Sequence, residues 1–404
     1  MSATSAVRPD RAAPGLPVLE VGFRPFFLAG AVWAVLVLAI WLAALSGLVD
    51  PGGSSYGALA WHAHEMVFGV GSAIVGGFLL TAMPGWTGQP KLAGRGLALL
   101  VGLWALGRVL MLVPDMPGVA VVAAVDLGFL AVLSGRGFLQ VRAGRNWRNL
   151  PVAAGPLLML TANALVHAEA AGLASRGAEL GAKAGLAVIV LLICMIGGRI
   201  IPSFTRNWLI NTGRGDPLPS EPDRVDGLVL ATTVLALAAW LAAPEAMATG
   251  VLAAVAAAGG AVRLARWCGW RTLAEPLVWV LHLGFLWVPV GLALAAGAAL
   301  VPELVPAAAV PHAFGVGAMG TMTLAMMTRA TLGHTGRALV ADRVTTAIYL
   351  LVTAAAVCRV LAALVPALAG HAVELSGGAW MLAFGLYAVA YAPKLWRRRV
   401  DAAD

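Results

Sequence analysis

Apolar runs long enough to cross a bilayer as helices fill most of this chain, and that one feature removes most fold classes. A run of about 18 or more apolar residues spans a membrane as an α-helix, because inside hydrocarbon each backbone polar group must bond within its own segment. Of the 404 residues 60% are hydrophobic and only 11% are charged. The chain therefore reads as an all-α integral membrane protein of about twelve transmembrane helices. They run approximately over 26–49, 57–83, 93–113, 117–141, 150–172, 180–202, 225–243, 247–266, 275–298, 308–329, 342–364 and 374–394. The longest connection, about Pro202 to Arg224, is rich in Pro, Gly and charge and reads as an exposed loop. The expected organisation is a flexible cytoplasmic lead over 1–22, a single twelve-helix membrane domain over 23–396 and a short cytoplasmic tail over 397–404. The lead carries Pro and charge without an apolar core, unlike a cleaved signal peptide.

The cations orient this bundle. With twelve spans and both termini on one side, all but four of the 27 Lys and Arg fall on that side. The other keeps Arg108, Arg176, Lys183 and Arg359. The positive-inside rule then places both termini in the cytoplasm. The net charge of +8 becomes a signature of topology and anionic lipid rather than of nucleic acid. Cys194, Cys268 and Cys358 fall in or at the ends of separate spans with no paired spacing, which speaks for packing and against a disulfide framework or a cysteine-held cluster.

Against that topology the histidines stand out, since ionisable residues at membrane depth are rare and mark functional sites. The second span opens with Trp61-His62-Ala63-His64-Glu65-Met66. His312 opens the tenth span on the same side, and His167 lies near that end of the fifth. His282 sits deeper, towards the cytoplasmic half of the ninth span, while His334 and His371 fall in loops. Imidazole is a common ligand for haem iron and copper. Each helical residue turns by about 100°, so His62 and His64 point roughly 200° apart. From a regular helix they cannot chelate one ion and would face two different sites, whereas an irregular first turn would let both reach one metal. The plainer reading, a membrane histidine bonded to a neighbouring helix, applies most readily to His167 and His282.

Other residues frame the same region. Phe68-Gly69-Val70-Gly71 and Phe314-Gly315-Val316-Gly317 repeat one pattern, each just after a histidine, and small residues let backbones or a flat cofactor approach closely. Met319, Met322, Met326 and Met327 offer soft sulfur, although adaptable packing is the commoner use of such methionines. Arg108 and Asp126 flank the short turn at Pro114 to Pro117 and read as an ion pair across that hairpin. The functional alternatives are a contact between Arg108 and a haem propionate, or proton transfer by Asp126. Asn163 stands four residues before His167 on one helical face, where it can orient the imidazole.

Several ordered motifs resemble the NnrS family. They are Phe23-Arg24-Pro25-Phe26-Phe27-Leu28, Trp61-His62-Ala63-His64-Glu65-Met66, Gly77-Phe78-Leu79-Leu80-Thr81-Ala82 and Arg199-Ile200-Ile201-Pro202-Ser203-Phe204-Thr205, then His312-Ala313 through Met326-Met327-Thr328-Arg329 and Gly333-His334-Thr335-Gly336-Arg337. The resemblance covers nearly the whole chain. It implies a multi-pass protein of the bacterial inner membrane that carries haem and copper and serves the nitric oxide response, denitrification and protection from nitrosative stress. It also raises His334 from a loop residue to a candidate ligand.

The expected site has His62, His64 and His312 as metal ligands for haem b, one group or two, and copper. His167 or His282 completes a haem, and Glu65 is the catalytic carboxylate beside it. There nitric oxide binds, and reduction is the further step that such a centre can support. The chain shows no soluble redox domain, so electrons would come from quinol or a redox protein; the bilayer is the remaining partner, and oligomeric state is not encoded legibly. Two other classes compete: a quinol-linked b-type cytochrome with six-coordinate iron throughout, and a twelve-span secondary transporter.

Overall fold

The computed structural model describes residues 15–401. The parts of the expected lead and tail at 1–14 and 402–404 lie outside them. Among the described residues there are twelve long helices and no strand. They are α1 Phe23–Leu45, α2 Ala58–Thr87, α3 Gly94–Leu112, α4 Val119–Ala143, α5 Leu150–Ala170 and α6 Gly177–Asn211, followed by α7 Arg224–Ala242, α8 Met247–Ala265, α9 Pro276–Leu300, α10 over 309–334, α11 Arg343–Leu364 and α12 Ala369–Trp396. Eleven have the length and hydropathy to cross a membrane. The less apolar one is α10, where Thr321, Thr323, Thr328 and Thr331 interrupt the aliphatic run. It packs against α6, α9, α11 and α12, so its polar hydroxyls face protein, and Thr328 and Thr331 bond Tyr349 and Tyr387.

The sixth span runs further than its composition indicates. Helix α6 continues through Pro202 to Asn211, which shortens the expected loop from Pro202 to Arg224 to residues 212–223. Proline removes one hydrogen bond and crowds the preceding turn. Here Ile201, Thr205 and Leu209 recur at helical spacing and all are buried, so an amphipathic packing face carries the helix past that defect.

Helices α2 and α10 share a further irregularity. Each begins as an α-helix, widens into a π-helix over Glu65–Gly71 and Ala313–Gly320, and resumes as α-helix at Ser72 and Thr321. The repeated Phe-Gly-Val-Gly pattern lies inside both widened segments, and the two segments touch. A π-helix is rare and recurs at functional sites. Its looser carbonyls take side-chain donors here: Trp104 Nε1 donates to Gly69 O at 3.1 Å, and Ser72 Oγ donates to Phe68 O.

Helix α6 lies against both segments, and 67% of its most apolar stretch is buried, against 33–39% for α1, α3, α4, α7, α8, α11 and α12. Gly185 makes this approach possible, because a Cβ there would stand 2.6 Å from Phe68 Cζ and 2.8 Å from Val67 Cγ1. Gly185→Ala is expected to overpack this contact and lower the unfolding free energy in detergent by about 1–3 kcal/mol. An unchanged denaturation midpoint would mean that α6 does not bear on the widened segment.

Candidate functional site

His62 and His64 face opposite sides of α2, as their spacing requires, and enter two environments. The first is a cavity of about 750 Å³ among α1, α2, α6, α10, α11 and α12. His62 and His312 both line it, with Met66 and Met319, and Lys183 and Arg359 bring positive charge. The His62 ring stacks on Trp41, centroids 4.3 Å apart and planes 13° from parallel, and its Nδ1 is buried without a hydrogen-bond partner. His312 Nδ1 lies 2.7 Å from Ala308 O. A carbonyl only accepts, so Nδ1 carries the proton and donates, which leaves the Nε2 lone pair free for a ligand.

The second environment is a buried polar network. His64 and Glu65 are both 0% exposed, Arg108 is 2% and Asp126 is 4% exposed. Arg108 joins the two carboxylates: Nη1 donates to Glu65 Oε1 at 2.6 Å, and Nη2 donates to Asp126 Oδ1. Trp33 Nε1 adds a bond to Glu65 Oε2 at 2.7 Å. On the far side of Asp126, Oδ2 receives Asn163 Nδ2 at 2.6 Å and lies 3.0 Å from both His64 Nε2 and His167 Nε2. His64, Asp126 and His167 thus each offer a ligand atom within 4.8 Å of the others. The outer nitrogens are held from behind, His64 Nδ1 by Glu65 Oε1 at 2.9 Å and His167 Nδ1 by Tyr56 Oη at 2.7 Å. Two imidazoles aimed at one point, with their remaining nitrogens fixed, is how metal-binding histidines are built.

The donor set carries the argument further. His64 faces acceptors on both nitrogens, Glu65 on one side and Asp126 with Asn163 Oδ1 on the other. With Glu65 and Asp126 both ionised and no metal between them, it satisfies them only as imidazolium. A cation between Nε2 and Asp126 Oδ2 lets His64 stay neutral, donating through Nδ1 and ligating through Nε2. The charges agree, because two carboxylates against one guanidinium leave one negative charge for a cation to offset. Glycine admits this network to the backbone, since a Cβ on Gly69 would lie 2.7 Å from Glu65 Oε2 and 2.8 Å from Trp33 Nε1. Tyr56 reaches His167 from the turn Gly53–Tyr56, which Asp115 of the α3–α4 connection holds through the Ser54 N–H at 2.9 Å and both serine hydroxyls. Those bonds, the Ser54 backbone bond foremost, keep the Asp115 carboxyl below its ordinary range.

The expected residues are therefore divided. The cavity joins His62 and His312; the buried network joins His64, His167, Glu65 and Arg108. Arg108 pairs with Asp126 as the hairpin suggested, and Asn163 serves His64 and Asp126 rather than His167. His282 and His334 join neither group. His282 Nε2 bonds Thr205 Oγ1 at 2.8 Å beside Trp267, and the His334 ring lies 5.5 Å from that of Phe23. Trp33, Trp41 and Tyr56 complete the two environments and carry no signal in the sequence, because each is an ordinary aromatic until the helices are assembled.

Removing Arg108 leaves Glu65 and Asp126 as uncompensated buried carboxylates. Arg108→Met is expected to cost about 3–5 kcal/mol in unfolding free energy, the range for a broken buried pair. In Arg108→Met/Glu65→Gln part of that loss returns, with a coupling of about 0.5–3 kcal/mol. Strictly additive losses would show that the pair is not coupled.

A search of curated proteins finds no match. The family model described as "NnrS protein" matches residues 17–399, which include every residue of the cavity and of the buried network. The chain belongs to the NnrS family.

Proposed function

We propose that this protein is a twelve-span haem and copper protein of the bacterial inner membrane, with both termini cytoplasmic, that binds nitric oxide and reduces it. The observation that carries the reading is the divergence of His62 and His64 from one helix turn into a cavity and a metal-shaped cluster. The cavity falls within the roughly 300–1,000 Å³ range of cofactor sites and joins apolar walls to a few convergent polar groups. His62 or His312 would hold the haem, and Lys183 and Arg359 would supply cations for its carboxylates. His64, His167 and Asp126 hold copper. Haem iron and copper supply the coordination of nitric oxide and the passage of electrons when they are bound.

Two nitric oxide molecules, two electrons and two protons give nitrous oxide and water. The chain has groups suited to the protons. Glu65 Oε1 lies 2.9 Å from His64 Nδ1 on one side of the cluster, and Tyr56, whose hydroxyl lies 2.7 Å from His167 Nδ1 on the other, lines the cavity. Arg108 keeps Glu65 and Asp126 in place at its two ends. Electrons enter from a quinol or a redox protein. One observation favours the b-type cytochrome as the second reading: two histidines line one cavity, and two axial imidazoles would leave iron no open position.

Metal and haem content of the purified protein, with anaerobic addition of nitric oxide to its reduced form, tests both readings. One of His62→Ala and His312→Ala is expected to lose haem and keep copper in the reductase, and both in the cytochrome, while His64→Ala and His167→Ala lose copper and keep haem. Tyr56→Phe, which removes only the bond behind His167, is expected to weaken copper binding by about 10–100-fold. A shifted haem spectrum with nitrous oxide release supports the reductase; an unshifted six-coordinate spectrum selects the cytochrome. Full metal and haem content in all four alanine variants rejects both.

A further inference from the structure

His62 and His312 line one cavity, yet the two imidazoles are held in different ways. A metal-bound imidazole donates its second N–H to an acceptor behind it, and losing such a partner costs about 10–100-fold in affinity. His312 has that acceptor. Its Nδ1 lies 2.7 Å from Ala308 O, which puts the proton on Nδ1 and leaves Nε2 bare. His62 has none. Its Nδ1 is buried away from water and finds no partner among the described residues. The Trp41 ring, 4.3 Å away and 13° from parallel, covers the face of the imidazole rather than the edge where an N–H points, and its indole nitrogen can only donate.

A neutral imidazole carries one proton, and its place on His62 follows from that contrast. On Nδ1 it would strand a donor that nothing, water included, can meet, and buried N–H groups without a partner are rare. On Nε2, the nitrogen left accessible in a side chain that lines the cavity, it can be met by whatever the cavity holds. His62 therefore presents an N–H to the cavity where His312 presents a lone pair. Coordination through His62 Nε2 would send the proton to Nδ1 and incur the cost that His312 avoids. Helix α10 also leaves space on the His312 side: Gly315, three residues on, lines the same cavity, and a Cβ there would meet no heavy atom within 4 Å.

We propose that the two imidazoles have opposite tautomers and separate roles: His312 Nε2 is the one protein ligand of the haem, and His62 stays off the iron as an Nε2–H donor to a small diatomic ligand held in the same cavity. The proposal deepens the reading above and rests on it for the haem, whereas the opposed tautomers rest on the hydrogen bonding alone. It selects an iron with an open position over one closed by two axial imidazoles.

Solid-state nitrogen NMR of the full-length protein in bilayers, labelled at histidine and made in haem-deficient cells, reads the tautomers directly. His62→Gln and His312→Gln each remove one set of signals for assignment. Nδ1–H on His312 and Nε2–H on His62 are expected, and Nδ1–H on His62 overturns the proposal. In the haem-loaded protein His312→Gly is expected to lose haem and regain it with added imidazole, while His62→Leu keeps it. Carbon monoxide on the reduced protein then probes the donor. His62→Leu is expected to raise the carbon–oxygen stretching frequency and speed release by about 2–10-fold, the worth of one hydrogen bond, and His62→Gln, which keeps a donor, to restore much of both. Haem lost from His62→Leu as it is from His312→Gly, or a stretch indifferent to both His62 variants, overturns the proposal. If His62→Leu does not fold, the tautomers of the wild type still decide. Wild type that takes up no haem sinks this assignment together with the reading above, whereas haem uptake with Nδ1–H on His62 sinks this one alone.

Discussion

A guanidinium held between two carboxylates, out of reach of water, is the contact on which this arrangement depends. Arg108 of α3 binds Glu65 of α2 and Asp126 of α4; Glu65 also takes Trp33 of α1, and Asp126 takes Asn163 and lies against His167 of α5. Five helices thus meet in one polar cluster. In hydrocarbon the charges have no solvent to return to, so any rearrangement of these helices strands a charge. Apolar packing between membrane helices is weakly directional, because lipid competes for the same surfaces. The polar cluster supplies the register that such packing lacks.

The widened helices decide what that register presents. A regular turn at Glu65–Gly71 would put a different set of side chains and carbonyls towards α3. The π-segment, with Gly69 bare, lets Trp33 and Arg108 approach the backbone and gives Gly69 O to Trp104. The equivalent segment in α10 begins just after His312, and the two segments touch. His62 and His312 therefore reach one cavity from two helices with the same local irregularity. His64, two residues on from His62, is turned into the ionic cluster.

Much of this was legible in one chain. The twelve helices follow from run length, the separation of His62 from His64 follows from helical rotation, and the Arg108–Asp126 pair follows from a hairpin whose turn is short. The Phe-Gly-Val-Gly repeat also marked two helices of the same local form. What the chain does not display is which helices become neighbours. His64 meets His167 across 103 residues of sequence, and Tyr56 meets His167 across 111, through a packing order that periodicity cannot express. The path of α6 beyond Pro202 escaped for a different reason. A proline in a polar, glycine-containing stretch ordinarily ends a helix, and only the buried face of Ile201, Thr205 and Leu209 keeps this one going.

The Asp115 tether gives the buried cluster a connection to the surface. Asp115 sits at the tip of the α3–α4 hairpin, outside the spans, and grips the turn that carries Tyr56. The stem of the same hairpin carries Arg108 and Asp126. Tip and stem act on His167 from opposite sides, one through the tyrosine hydroxyl and the other through a carboxylate oxygen. The hairpin therefore joins an exposed carboxylate at its tip to both nitrogens of an imidazole that solvent does not reach.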